Sequence, residues 1–317
     1  MSDQDLNVVQ HHSSAQPLEL TDSNYFAPEE SAGRGASMSA IQYHYDVGND
    51  FYSMWLDEDL VYSAARWTHP ITGASLAASI EVAQRNKIDF HLEAINAKPG
   101  DAVLDIGCGW GALLFVAASC YGVKRATGLT LSAKQHSLIE NRFHSNVDVH
   151  LQSYERFVAD EPYDGVVSIG AFEHFVRPEM TSAQRVETYR RFFDCVADSL
   201  KLRGRLSLQT ICWSDIDRQF AREIVPVEIF PESDLPYIPE ILSAACSRFT
   251  PVYMENNASD YVHTLQEWLK RIRAARTLLT ARYGSDTFVF YERYLRKSII
   301  GFKTNRTSLA RFVFQKK

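Results

Sequence analysis

The part of the chain best suited to chemistry runs from Val103 to Ala118, VLDIGCGWGALLFVAA. An acid, Asp105, ends a short apolar stretch. Gly107, Gly109 and Gly111 then follow at alternate positions before a second apolar run. Glycines spaced in this way let the main chain turn through positive φ and let a ligand approach the backbone with no Cβ in the way. A helix starting near Trp110 aims its free N–H groups and positive dipole end at that ligand. The pattern predicts a nucleotide-type binding loop at the carboxyl end of the first strand of a doubly wound sheet. It is not the dinucleotide pattern, which reads Gly-x-Gly-x-x-Gly with an acid about 20 residues further on. At that distance this chain has Gly128-Leu129-Thr130-Leu131-Ser132, with no acid.

The order Asp-x-Gly-x-Gly-x-Gly resembles the cofactor loop of S-adenosylmethionine (SAM) methyltransferases. Further segments narrow the resemblance to the cyclopropane-fatty-acid and mycolic-acid cyclopropane synthases: YHYDVGNDFYSMWLDEDLVYSAARW (Tyr43 to Trp67), GCGWG, GLTLSAKQ (Gly128 to Gln135) and VVSIGAFEHF (Val166 to Phe175). EIFPESDLPYIP (Glu228 to Pro239), DYVHTLQEW (Asp260 to Trp268) and YERYLRKSIIGF (Tyr291 to Phe302) extend it toward the C-terminus. The resemblance implies methyl transfer from SAM to an electron-rich centre. By it, Gly107, Gly109 and Gly111 pack against the methionine part of the cofactor, which Tyr62 and Ser63 also touch, and Asp105 orients the loop. Thr130, Leu131 and Gln135 contact the ribose and adenine side. Tyr154-Glu155 stands where an aromatic residue and an acid hold adenine, with tyrosine where the family commonly has tryptophan.

The reactive end departs from the family pattern. In the cyclopropane synthases a bicarbonate ion serves as the base, held by a cysteine, a glutamate, a histidine, a backbone group at an isoleucine and a tyrosine. The glutamate, isoleucine and tyrosine match Glu173, Ile211 and Tyr261, but the cysteine is Ala64 and the histidine is Gln209. Each hydrogen bond lost to a charged group costs on the order of 1.5 to 3 kcal/mol, so bicarbonate is expected to bind weakly or not at all. Glu173 becomes the expected base, because a carboxylate in an apolar pocket is a stronger proton acceptor. Tyr261 would steer it or offer its ring face to positive charge. His174 is read chiefly as a packing or hydrogen-bonding partner, and Gln209 as an amide that can still donate.

The expected function is SAM-dependent methylation of an electron-rich carbon, a C=C bond foremost, in an apolar small molecule or lipid-like acceptor. A fatty-acyl cyclopropane synthase, a small-molecule N-methyltransferase and a non-catalytic SAM-binding protein are the alternatives. Trp213, Phe230, Tyr237 and Trp268 suit either an apolar substrate tunnel or plain core.

The elements that must position these residues follow from periodicity. Leu76 to Ile95 reads as a long amphipathic helix with Ile80, Ala83, Lys87-Ile88 and Leu92 on one face. Residues 39–56 read as two short helices joined at Gly48. After the first strand, strands are expected at Arg125 to Leu129, Val147 to Leu151, Gly165 to Ile169 and Gly204 to Ile211. Helices are expected between them, at Leu113 to Tyr121, Ala133 to Phe143 and Ala183 to Leu202. That alternation predicts a mostly parallel sheet covered on both faces, the class I SAM-methyltransferase form of the doubly wound α/β fold. Helices at Ile241 to Phe249, Thr264 to Tyr283 and Asp286 to Phe302 precede a short strand at Arg311 to Gln315. The domain plan is a flexible polar arm at 1–37 and a methyltransferase domain at 38–317. Within the domain, 38–98 form a helical cap and 213–302 a helical insertion over the substrate. Tyr25-Phe26 could anchor the arm, and His11-His12 within it reads as solvated.

A 317-residue chain with 45% hydrophobic and 23% charged residues is ordinary for a globular protein. Its formal net charge of -6 gives no footprint for nucleic acid. Five scattered cysteines without a Cys-x-x-Cys pair suggest a reducing, cytoplasmic setting and no zinc site. No apolar run reaches the ~18 to 20 residues of a membrane span, and no secretory signal pattern opens the sequence.

Overall fold

A computed structural model describes residues 47–214, 218 and 232–317. Five parallel strands, β1 (Ala102–Ile106), β2 (Arg125–Thr130), β3 (Val147–Leu151), β4 (Tyr163–Ile169) and β5 (Leu200–Trp213), are joined by β6 (Phe249–Asn256) and β7 (Thr307–Lys316). The seven lie in the order β3-β2-β1-β4-β5-β7-β6, with β7 antiparallel to both of its neighbours. The order reverses at β1, so the carboxyl ends of β1 and β4 diverge into a crevice, where an open α/β sheet places its ligand.

Helices α1 (Asn49–Ser53) and α2 (Ile80–Ala94) precede the sheet. Helices α3 (Ala112–Cys120), α4 (Ala133–Asn141) and α5 (Ser182–Ser199) connect its strands. Helices α6 (Ile238–Ala245), α7 (Ala258–Ala274), α8 (Arg276–Tyr283) and α9 (Ser285–Lys303) flank β6 and precede β7. One sheet face packs Leu206, Leu208, Phe312 and Phe314 against Phe172, Tyr189, Phe192 and Phe193. The other packs Val103, Ala126 and Val167 against Leu92, Leu113 and Leu114. Burial on both faces explains why these strands read as near-continuous apolar runs. A third cluster, which is aromatic, joins Phe51, Tyr52 and Trp55 to Trp110, Trp268 and Tyr291 and fixes the N-terminal helices against α7 and α9.

The central elements form where periodicity places them, and two differences stand out. The helix expected to run to Leu202 stops at Ser199, because Leu200 already pairs with Tyr163 of β4. Strand β6 occupies a stretch in which no strand is expected. Among the described residues it is an edge strand that pairs with β7 alone, its register shifts at Pro251, and Val252, Tyr253 and Met254 are exposed. Proline and an exposed apolar face both weaken a strand signal. The segment 213–302 therefore contributes to the sheet as well as supplying helices. The arm at 1–37, the first of the two short helices of 39–56 and Phe230 lie outside the described residues.

Candidate active site

A cleft of about 1350 Å³ opens at the carboxyl ends of β1, β2 and β4. Its lining includes Tyr62, Ser63, Asp105, Gly107, Gly109, Thr130, Leu131, Gln135, Tyr154 and Glu155, brought together from four places in the sequence. Gly107 and Gly109 have φ of 81° and 54°. A Cβ on Gly107 would lie 2.5 Å from the Ala171 Cβ, whereas one on Gly109 would meet nothing within 4 Å and would project into open space. The loop is thus close-packed behind and open in front. Gly111 lies behind the cleft and is not part of the lining. It caps α3 at φ 85°, where a Cβ would come within 3.0 Å of Ile139.

The far end of the cleft is built by local hydrogen bonding. Thr130 Oγ1 donates to Gln135 Oε1 at 2.7 Å, and Ser132 caps α4 by accepting from the Gln135 N–H. The Tyr154 ring packs against Phe175 at 4.5 Å, and Glu155 is exposed beside it.

A strap, Val61 to Thr68, crosses above the cleft and is fastened from several elements. From α2, Gln84 Nε2 donates to the carbonyls of Val61 and Ser63, and Lys87 Nζ donates to Ser63 Oγ at 2.7 Å. From α7, Asp260 accepts from the N–H groups of Trp67 and Thr68, while Thr264 accepts from that of Ala65. From the sheet, Gln209 donates to the Ala64 carbonyl and Arg311 to the Ala65 carbonyl. Trp110 of the glycine loop donates to Asn49, which ties α1 to the same rim.

Beyond the strap lies a second cavity of about 1040 Å³. It shares Tyr62, Ser63, Gly170 and His174 with the first, so the two lie side by side. Glu173, Gln209 and Tyr261 line it along with Ala64, Ile211, Tyr294 and Phe302. Glu173 sits in a 3₁₀ turn, Phe172–His174, directly after β4. Its Oε1 accepts the Ile211 N–H at 2.6 Å, and its buried Oε2 has no hydrogen-bond partner among the described residues. Burial raises Glu173 to about 7, against the pull of the Ile211 N–H. His174 forms a 2.7 Å hydrogen bond through Nδ1 with Ser233, and burial lowers its ring to about 4, so it is neutral at pH 7. The Tyr261 ring lies 4.7 Å from Phe302.

Gln209 spends both ends of its amide within the protein. Its Oε1 accepts from Arg311 Nε at 2.7 Å while its amide nitrogen holds Ala64. Arg311 is fully buried and also pairs with Glu255 and Asp260. Gln209 therefore links the cavity wall to this ionic cluster. Of the four aromatics read as tunnel or core, Trp213 lines the second cavity. Trp268 is buried against Trp55 and Tyr62, and Tyr237 caps α6 beneath Arg218.

The sequence model of the mycolic acid cyclopropane synthetase family matches residues 34–312. The chain belongs to this family. Cyclopropane mycolic acid synthase 2 of Mycobacterium leprae is 33% identical over 301 residues, which cover 88% of this chain and 94% of that protein. Cyclopropane-fatty-acyl-phospholipid synthase of Escherichia coli is 32% identical over 274 residues, 86% of this chain and 66% of that one. Among solved structures, the cyclopropane synthase MmaA2 of Mycobacterium tuberculosis matches at a TM-score of 0.77 and 28% identity, covering 89% of this chain and 99% of that one. Mycolic acid cyclopropane synthase CmaA1, complexed with SAH and CTAB, matches at 0.77 and 30%, covering 88% and 98%.

As a member of the cyclopropane synthetase family, the protein is an enzyme of the SAM-dependent methyltransferase type with the class I fold. The cleft suits such a cofactor on its own terms. It has backbone open to approach at Gly109 and a buried carboxylate oxygen, Asp105 Oδ1, with no partner among the described residues. Burial raises Asp105 to about 7, so a cationic ligand group would hold it ionised. Among the described residues no cluster of histidine, cysteine and acid could hold a metal, and no helix is long and apolar enough to cross a membrane. Sequence reasoning missed Lys87 and Tyr294 as lining residues. For Lys87 the signal was available: a lysine on the apolar stripe of α2 must end in a buried polar site.

Proposed function

We propose that the protein methylates a C=C bond of a lipid-like acceptor and that Glu173 is the base. The observation that carries this reading is the buried Oε2 of Glu173, which has no hydrogen-bond partner among the described residues and belongs to a largely apolar cavity adjoining the cofactor cleft. Tyr154 and Glu155 would hold the adenine end, with Thr130, Leu131 and Gln135 along the ribose and Gly107 and Gly109 beside the methionine part. Bound there, SAM supplies an electrophilic methyl group. Tyr62, Ser63, Gly170 and His174, common to both spaces, then bring the acceptor to the sulfonium with water excluded. The methylated acceptor is electron-deficient at the neighbouring carbon. Glu173 Oε2 takes a proton from it, and the freed C–H electron pair closes a ring or forms a new double bond.

The same geometry argues against a bicarbonate base. The Ile211 N–H is spent on Glu173, Gln209 is engaged with Arg311 and Ala64, and the Ala64 side chain donates nothing. An anion placed here would face a carboxylate with too few donors to offset its desolvation. Because the relatives are named as cyclopropane synthases, ring closure on an unsaturated acyl chain is the second reading of the product. Five unpaired cysteines fit a reducing, cytoplasmic setting. Mass spectrometry of lipid extracts incubated with methyl-labelled SAM tests the proposal. A labelled lipid supports it, and label confined to a small polar amine refutes it.

A further inference from the structure

The second cavity runs along one face of α9. Tyr294, Ser298, Gly301 and Phe302 line it, at the i, i+4, i+7 and i+8 spacing that keeps residues on one side of a helix. The Glu173 carboxylate acts on Tyr294 through its field, and Tyr294 hydrogen-bonds Ser298. That end of the row therefore lies toward the proposed base. Gly301 marks the other end, seven residues on and about 10 Å further along the axis. There the chain turns back into β7: the Arg306 N–H donates to the Gly301 carbonyl, and Thr307, paired with Trp213 across the sheet, lines the cavity with it.

Nothing in the backbone requires glycine at 301. The residue is helical, and the positive φ that follows α9 falls to Asn305, at 53°. Glycine inside a helix is less stable than alanine, so its presence there calls for a reason in packing or function. Gly301 is buried and faces the cavity, so the side chain it lacks is space on the cavity wall. The same cavity contains the buried Oε2 of Glu173, an acceptor with no hydrogen-bond partner among the described residues. Resting on the reading of this cavity as the seat of a lipid-like acceptor, we propose that Gly301 sets how much of the acceptor's chain is admitted. The chain leaves the reacting carbon at Glu173, follows α9 past Ser298 and passes through the gap that glycine leaves beside Trp213 and Thr307. Gly301 is thus a specificity-determining residue, remote from the bond-making step.

Isothermal calorimetry on the SAH-bound protein reads this gap with straight-chain 1-alkanols from hexanol to dodecanol. Their hydroxyl can donate to Glu173 Oε2 while the chain extends along α9. In the unmodified protein each added methylene should tighten binding about fourfold. Gly301→Leu fills the gap: hexanol should bind within about twofold of the parent, whereas dodecanol should lose about tenfold or more. Gly301→Ala, the gentler change, should give a length profile between the two and unfold at a urea concentration no lower than the parent's, because alanine is the better helix former. An unchanged length profile in both variants overturns the assignment, as does an equal loss for every alkanol. Reduced stability of Gly301→Ala would mark a glycine kept for helix packing and overturns it as well. An unmodified protein that binds no alkanol overturns the lipid-like reading of the cavity, and this assignment with it.

Discussion

Replacing Glu173 by glutamine changes one atom at the proposed reaction centre and separates catalysis from stability. The amide keeps an oxygen to accept the Ile211 N–H, which lies 2.6 Å from Oε1, so the turn after β4 should hold its shape. A general base typically contributes a factor of about 100 to 10,000, and turnover should fall by that much with little change in SAM affinity. Stability should move the other way. Burial raises Glu173 from 4.5 to about 7, and at about 1.4 kcal/mol per pH unit the ionised carboxylate costs the fold roughly 3 kcal/mol once pH exceeds 7. The sign follows from proton uptake. Between the unfolded pKa and the folded one the folded state holds a proton that the unfolded state has released, so the cost is absent below about pH 4.5 and complete above about 7. Glu173→Gln should therefore unfold at higher urea concentration than the parent at pH 8, and the two should converge at pH 4.5. In the parent, turnover should rise with pH through about 7 as the base ionises. A variant with near-normal turnover would move the base elsewhere. A stability difference independent of pH would show that Glu173 is not a buried, strained acid.

Gly109→Val should abolish SAM binding by calorimetry while leaving the far-ultraviolet dichroism intact, because the new side chain enters the open front of the loop; unchanged binding would displace the site. Activity in rigorously CO2-free buffer should equal activity with added bicarbonate. Changing Ala64 to Cys together with Gln209 to His should create a bicarbonate dependence, whereas strong stimulation of the unmodified protein would restore a bicarbonate base. Arg311→Met strips Glu255 and Asp260 of their buried partner and should cost about 3 to 5 kcal/mol in urea unfolding. A loss below about 1 kcal/mol would show the cluster to be incidental.

How much could be read in advance depended on the range over which each signal acts. The glycine loop was legible because its requirement is local: Gly107 and Gly109 answer to their own φ and to what approaches the backbone. Strands β1 and β4 were legible because burial on both faces leaves an apolar run, and β3 because Val147, Val149 and Leu151 alternate with polar residues. Strand β6 was not, since an edge strand with Pro251 and a consecutive exposed run from Thr250 to Met254 carries no such pattern. Gln209 looked like a spare donor in isolation. Its partner Arg311 lies 102 residues away, and only the antiparallel pairing of β5 with β7 brings the two together. The expected helix at Thr264 to Tyr283 is in fact α7 and α8, which meet at Ala275.

The wall shared by the two cavities, Tyr62, Ser63, Gly170 and His174, makes the protein a two-ligand balance. Whatever factor an occupant of the cofactor cleft applies to acceptor affinity, the acceptor must apply the same factor in return. An acceptor too large or too mobile to be seen directly can therefore be weighed through the small one: titrating SAH with and without a trial lipid reports the lipid's grip on the far side of the strap. Because Asp260 and Arg311 hold that strap and line neither cavity, substitutions at these positions would reset the balance from a distance, without touching the acceptor.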